Sequence, residues 1–269
     1  MPLTDFQRHI CRLIAQSRRA SGESYVAGGA ALNELVAAPR VSDDIDLFHD
    51  TEEAVGVAWD ADRLLLTKAG ITVTSIRERP GFVEALASSG LDRVLLQWTR
   101  DSAFRFFPLV EHDDFGLALH PFDLATNKLL ALVGRVEVRD WIDTLTCHEA
   151  VQPLGYLAWA ASGKDPGFSP HAILEEAARG NRYSETEVAA LQFGGPTPDA
   201  ATLSRTWKRA LAEGRAIVDQ LPSAHVGSCV LAREDGLFRG GVDALVRALA
   251  DVAIRFRTGS LRAAFPTIR

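Results

Sequence analysis

The sequence predicts an α/β (α+β) fold: a small mixed, twisted sheet with flanking helices, followed by a helical C-terminal region. Three observations point there. Up to His120, short apolar runs of strand period alternate with amphipathic helical stretches. From Pro121 onward nearly every segment has helical spacing, separated by breaks that carry Gly and Pro. The chain has 269 residues, 47% hydrophobic and 24% charged, which suits an ordinary globular core. The expected division is an α/β core over 1–120 and a mostly helical region over 121–269 that completes an active-site cleft.

In order along the chain, residues 4–20 place Phe6, Ile10, Leu13 and Ile14 at helical spacing. A short strand is expected at 24–27. A helix is expected at 29–38, with Leu32, Leu35 and Val36 on one stripe and Pro39 as its stop. Residues 43–48 alternate, with Ile45 and Leu47 on one face and Asp44, Asp46 and Phe48 on the other. A helix over 52–69 precedes a strand at 71–76, which Arg79-Pro80-Gly81 closes. Further strands are expected at 93–98, 103–110 and 115–119. The second half reads as helices at 122–134, 138–149, 153–161, 170–180, 185–192, 202–221 and 241–257, with breaks at 163–170, 194–198 and 227–240.

No apolar run approaches the roughly 20 residues that span a bilayer, and the amphipathic N-terminus carries charges where a secretion signal is apolar. No membrane partner is expected. Cys11, Cys147 and Cys229 are odd in number and far apart, with no metal spacing and no disulfide framework. A cytoplasmic protein with reduced thiols is the simplest reading. The formal net charge of −6 is uneven: residues 1–149 carry −8 and residues 150–269 carry +2. After Asp251 there is no acid, while Arg255, Arg257, Arg262 and Arg269 follow. An acidic half suits cations, and a basic tail suits RNA.

The stretch 25–48, YVAGGAALNELVAAPRVSDDIDLF, carries the chemistry. Gly28-Gly29 joins a strand to a helix. Lacking Cβ atoms, it lets backbone approach an anion, and the helix N-terminus favours a triphosphate there. A bare Gly-Gly is also what a plain turn needs. Asp44 and Asp46 lie on one strand face, roughly 6.6 Å apart, where they can converge on one or two Mg²⁺ ions; two exposed acids on an edge strand look the same. Lys128 is one of only four lysines, and it lies in line with Leu124 and Leu132 on a helix. Such a lysine either snorkels outward or meets an anion. In Arg139-Asp140-Trp141-Ile142-Asp143 the two acids share a helical face, able to orient Lys128 or Arg139 or to act as an acid/base pair. His49 either lines the site or simply ends the strand. The seven histidines form no metal spacing.

Their order resembles the AbiEii/AbiGii-type toxin nucleotidyltransferase family, within the DNA polymerase β-like nucleotidyltransferase superfamily. The matching segments are Gly28-Gly29, then Arg40-x-Ser42-x-Asp44-Ile45-Asp46, then Asp123–Arg135 with Lys128, then Arg139-Asp140-x-x-Asp143. They cover roughly residues 20–150. The resemblance implies a transferase of nucleoside monophosphate from NTP, with Mg²⁺ (or Mn²⁺). It implies catalytic roles for Asp44, Asp46, Lys128 and Asp140, with Asp143 behind Asp140. Gly28, Gly29, Ser42 and Lys128 would bind nucleotide, and Asp44 and Asp46 would hold metal. Arg40 and Arg139 would be supports. It further implies a toxin of a toxin–antitoxin or abortive-infection system acting on tRNA 3′ ends, with NTP, tRNA and a cognate antitoxin protein as partners.

One departure stands out. Members of the superfamily carry a third carboxylate on a neighbouring strand, where this chain offers Gln97, with Asp101 just beyond. The acidic N-terminal half also fits a small-molecule, aminoglycoside-type nucleotidyltransferase. The missing acid fits a catalytically silent fold that binds nucleotide or a partner.

Overall fold

The computed structural model describes residues 3–180, 183–233 and 236–263. Arg269 of the basic tail and part of the expected break at 227–240 lie outside them. The chain separates into two compact units. One holds the residues up to Ala103 together with Pro108–His120; the other holds Phe104–Phe107 together with the residues from Pro121 onward.

The first unit begins with α1, Asp5–Ser21, started by a capping box in which Thr4 and Gln7 satisfy each other's backbone N–H. Then come β1 (Ser24–Ala27), α2 (Gly28–Leu35), β2 (Asp44–His49) and α3 (Glu52–Lys68). The strands β3 (Thr72–Arg79), β4 (Phe82–Ser89) and β5 (Asp92–Arg100) form a meander. The second unit takes β6 (Phe104–Arg105), and the first closes with β7 (Val110–His112) and β8 (Gly116–Ala118). The sheet order is β3-β4-β5-β2-β1-β8-β7. The pairs β2–β5 and β1–β8 are parallel, and the other pairs are antiparallel.

Alternation sorts the two faces of this sheet. Ile45 and Leu47 are fully buried, and in register with Leu47 stand Trp98 and Val83, both also buried. This face lies under α1 and α3. The Trp98 indole donates to Asp62 Oδ2 at 2.9 Å, and Arg18 Nη2 pairs with the same oxygen at 2.9 Å. Arg18 and Asp62 are each 1% exposed, and a further bond from Arg18 Nη1 to the Ile14 carbonyl at 2.7 Å helps offset the cost of burying the pair. The opposite face carries Asp44 and Asp46 in partly exposed positions.

The second unit contains α4 (Pro121–Arg135), α5 (Val138–Ala150), α6 (Leu154–Lys164), α7 (Pro170–Ala177), α8 (Glu185–Ala189) and α9 (Ala200–Gln220). A 3₁₀ turn at Ala178–Gly180 follows α7. After these come β9 (Ser228–Ala232), α10 (Val242–Ala250), β10 (Ile254–Thr258) and β11 (Ser260–Leu261). The strands β9 and β10 pair with each other, and β11 pairs with β6. Asp123, fully buried in α4, explains why Phe104–Phe107 belongs here. Its two oxygens accept the Phe106 and Phe107 N–H groups at 2.9 and 3.0 Å, and Lys164 Nζ lies 2.9 Å from Oδ1.

The structure corrects the sequence reading at four places. The expected helix over 241–257 stops at Ala250, and Ile254–Thr258 is a strand. The apolar stripe of Leu245 and Ala248 runs on into Val252 at helical spacing and hides the switch. Val252 itself adopts φ 52°, which ends the helix. The break at 227–240 contains β9, and the unexpected β4 follows a tight turn at Pro80-Gly81. There the alternation of Val83, Ala85 and Ala87 carried a strand signal. The helix expected over 29–38 ends at Leu35, before Pro39 is reached.

Candidate functional site

The first unit gathers Gly28, Gly29, Ser42, Asp44 and Asp46. The strand β1 pairs antiparallel with β2 so that Ala27 stands opposite Asp46. The chain then turns into α2 through Gly28, whose φ of 64° favours glycine. A Cβ at Gly28 would sit 1.7 Å from Asp46 Oδ2, so only glycine lets this carboxylate lie against the turn. A Cβ at Gly29 would meet Arg40 Nη2 at 2.6 Å and Ser42 Oγ at 2.7 Å. The N-cap of α2 is Ala27, and no side chain caps the helix. Its first N–H groups therefore suit an anion.

Ser42 orients Asp44. Its hydroxyl donates to Asp44 Oδ1 at 2.8 Å, and its own carbonyl accepts from Gln7 Nε2 at 2.7 Å. Arg40 is buried and donates to the Val41 carbonyl at 3.1 Å, a supporting position beside the turn. His49 ends β2 on the Ile45 and Leu47 face, fully buried and away from the two aspartates. Asp101 follows β5, four residues and roughly 13 Å along the strand direction from Gln97; its N–H donates to the His49 carbonyl at 3.0 Å. Gln97 pairs in register with Asp46.

The second unit gathers Lys128, Arg135, Asp140 and Asp143. Lys128, 8% exposed on α4, lies 3.2 Å from Asp140 Oδ1 and 2.9 Å from Asp143 Oδ2 on α5. Both carboxylates are fully buried. Arg135 grips Asp140 with Nε and Nη2 at 2.9–3.1 Å. The four charges balance, and Lys128 meets anions instead of snorkelling. Arg139, on the same helix as the two acids, pairs with Glu137 at 2.6 Å.

Glu84 was missed by sequence reasoning. It lies on β4 opposite Gln97, and Gln97 Nε2 donates to its Oε1 at 3.0 Å. A correct assignment of β4 was the missing signal.

For a divalent cation the donor chemistry fits: Asp44 and Asp46 offer hard, partly exposed oxygens beside a helix N-terminus that suits phosphate. No group of three or more His, Cys, Asp or Glu able to hold a metal occurs among the described residues. Nucleotide phosphates and water would complete the coordination, as Mg²⁺ commonly requires. The three cysteines are free and buried, and burial pushes the Cys11 thiol up to about 12, so none is poised as a nucleophile. No described helix is long and apolar enough to cross a membrane.

No protein-family model matches the chain, and no curated protein matches it. Solved structures do. JHP933 from Helicobacter pylori aligns with a TM-score of 0.49 at 12% identity, over 93% of this chain and 99% of that one. MenT4, a nucleotidyltransferase toxin from Mycobacterium tuberculosis, aligns with a TM-score of 0.56 at 16% identity, over 81% of this chain and 83% of that one. The mixed α/β sheet with its flanking helices thus has the fold of a nucleotidyltransferase.

Proposed function

We propose that this protein is a metal-dependent nucleotidyltransferase that moves NMP from an NTP to an acceptor hydroxyl. The observation that carries the reading is the packing of Gly28 against Asp46: a turn open to phosphate lies directly beside a pair of aspartates. The acceptor oxygen bonds to the α-phosphorus, the bond to the bridging oxygen breaks, pyrophosphate leaves, and the hydroxyl proton is lost to solvent. The α2 N-terminus and Gly28-Gly29 bind the triphosphate. Asp44 and Asp46 hold the cation, and Ser42 keeps Asp44 turned to its task. Mg²⁺ or Mn²⁺ there would offset phosphate charge and orient the reacting groups.

Lys128 is the phosphate-binding cation of the family resemblance; in the second unit of this chain its charge is held between Asp140 and Asp143. Asp140 and Asp143 are positioning residues in this reading, because both are fully buried and paired with Lys128.

The proposed acceptor is the 3′ end of an RNA such as tRNA, with the protein acting as a toxin under control of an antitoxin. The toxin character of MenT4 and the acid-free stretch after Asp251 support this part. Incubation with radiolabelled NTPs and total tRNA tests it. Label should reach RNA with wild type and not with Asp46→Ala; equal absence from both sinks the reading.

A further inference from the structure

The sheet brings three polar side chains into one row. Asp46 on β2 is in register with Gln97 on β5, and Gln97 is in register with Glu84 on β4. Paired residues share a face, and the neighbouring row, Leu47, Trp98 and Val83, is buried on the other side. Asp46, Gln97 and Glu84 are all partly exposed.

A carboxylate only accepts hydrogen bonds, whereas an amide offers a donor end and an acceptor end. Glu84 Oε1 takes the Gln97 Nε2 donor at 3.0 Å. That bond decides which end of the amide faces β4. The carbonyl oxygen is the end of the amide that Glu84 does not engage, and on the other side of β5 the neighbouring strand is β2, with Asp46 in register.

We propose that Gln97 Oε1 is a third protein ligand of the cation held by Asp44 and Asp46, and that Glu84 is a positioning residue that keeps this oxygen turned to it. The proposal rests on the nucleotidyltransferase reading above. Amide carbonyls are hard, neutral oxygen ligands for such ions. The site then carries two negative charges in place of the three that an acid at position 97 would give. Cation binding without nucleotide is weakened accordingly, and the triphosphate restores the missing charge. Binding of cation and NTP is therefore coupled.

The experiment titrates the full chain with Mn²⁺ and measures free Mn²⁺ by electron paramagnetic resonance, with and without a non-hydrolysable NTP. Gln97→Ala should weaken binding about 10-fold, and Glu84→Gln by a similar factor, as loss of an orienting partner typically does. Gln97→Glu should tighten binding in the absence of nucleotide, an outcome that a damaged fold cannot produce. The double variant Glu84→Gln/Gln97→Glu should match Gln97→Glu, because a carboxylate presents oxygen at both ends and needs no orienting partner. If Asp46→Asn abolishes binding while Gln97→Ala and Glu84→Gln bind as wild type, the inference falls and the nucleotidyltransferase reading stands. If wild type binds no Mn²⁺ even with the NTP analogue, both fall together. If Gln97→Ala weakens binding and Glu84→Gln does not, the positioning role of Glu84 is overturned.

Discussion

Lys128 Nζ lies 2.9 Å from Asp143 Oδ2, with Asp140 Oδ1 3.2 Å away. Two buried carboxylates therefore hold one nearly buried ammonium, and Arg135 supplies the second positive charge. The arrangement gives Lys128 a structural role beside the catalytic one proposed for it. Lys128→Met leaves two buried acids with a single cation. We expect it to lose about 3–5 kcal/mol of stability and roughly 10²-fold or more in transfer rate. Urea melts and labelled-NTP turnover measure the two effects separately. A variant as stable as wild type would show that the ion pairs contribute little.

Asp46→Asn keeps the shape of the side chain and removes its charge. Asp46 is partly exposed and lies at the Gly28 turn, outside the packed core. We expect stability within about 0.5 kcal/mol of wild type and transfer reduced roughly 10²-fold or more, by analogy with loss of one preorganised electrostatic partner. Retention of more than a tenth of the wild-type rate by a pure preparation would remove Asp46 from the chemistry.

Gly28→Ala tests the turn. The new methyl would meet Asp46 Oδ2 at 1.7 Å, and the φ of 64° disfavours alanine as well. The carboxylate must swing away or the turn must open. We expect a loss of about 1–2 kcal/mol together with weaker NTP binding by calorimetry. Gly22, also at positive φ but with nothing within 4 Å of where a methyl group would stand, is the control. Gly22→Ala should cost stability alone.

The strand-turn-helix of Ser24–Leu35 and the aspartate strand were legible because their signals are local: a glycine pair, period-two alternation, and two acids at i, i+2. Lys128 with Asp140 and Asp143 was legible as helical spacing, but the burial of those acids was not, since it depends on what α4 and α5 pack against. Glu84 was invisible because its meaning comes from a cross-strand register that spans three strands. Asp123 entered the sequence reading only as the start of the Asp123–Arg135 segment that carries the family resemblance. Its bonds to the Phe106 and Phe107 N–H groups tie together segments 16 and 17 residues apart, which no periodicity announces. The strand β10 was lost because five alternating residues directly follow an apolar helical stripe.

His49 makes stability depend on pH. Burial is the main cause that lowers its pKa to about 4, and the Arg18 charge adds to it, while neighbouring Thr99 and Leu47 backbone groups offset part of the shift. The fold therefore holds the neutral imidazole, whereas the unfolded chain protonates it near the ordinary value of about 6.5. The contribution is fully present above that unfolded value. It is lost as pH falls from about 6.5 towards 4, because the unfolded state binds the proton first. Between pH 7 and 4.5 the loss attributable to this residue is about 2–3 kcal/mol. His49→Phe, apolar and of similar size, removes the titration and leaves every other acid-sensitive group in place. Urea melts of wild type and variant at the two pH values provide the comparison. Wild type should lose about 2–3 kcal/mol more than His49→Phe; equal losses would mean that the folded chain already accommodates the imidazolium.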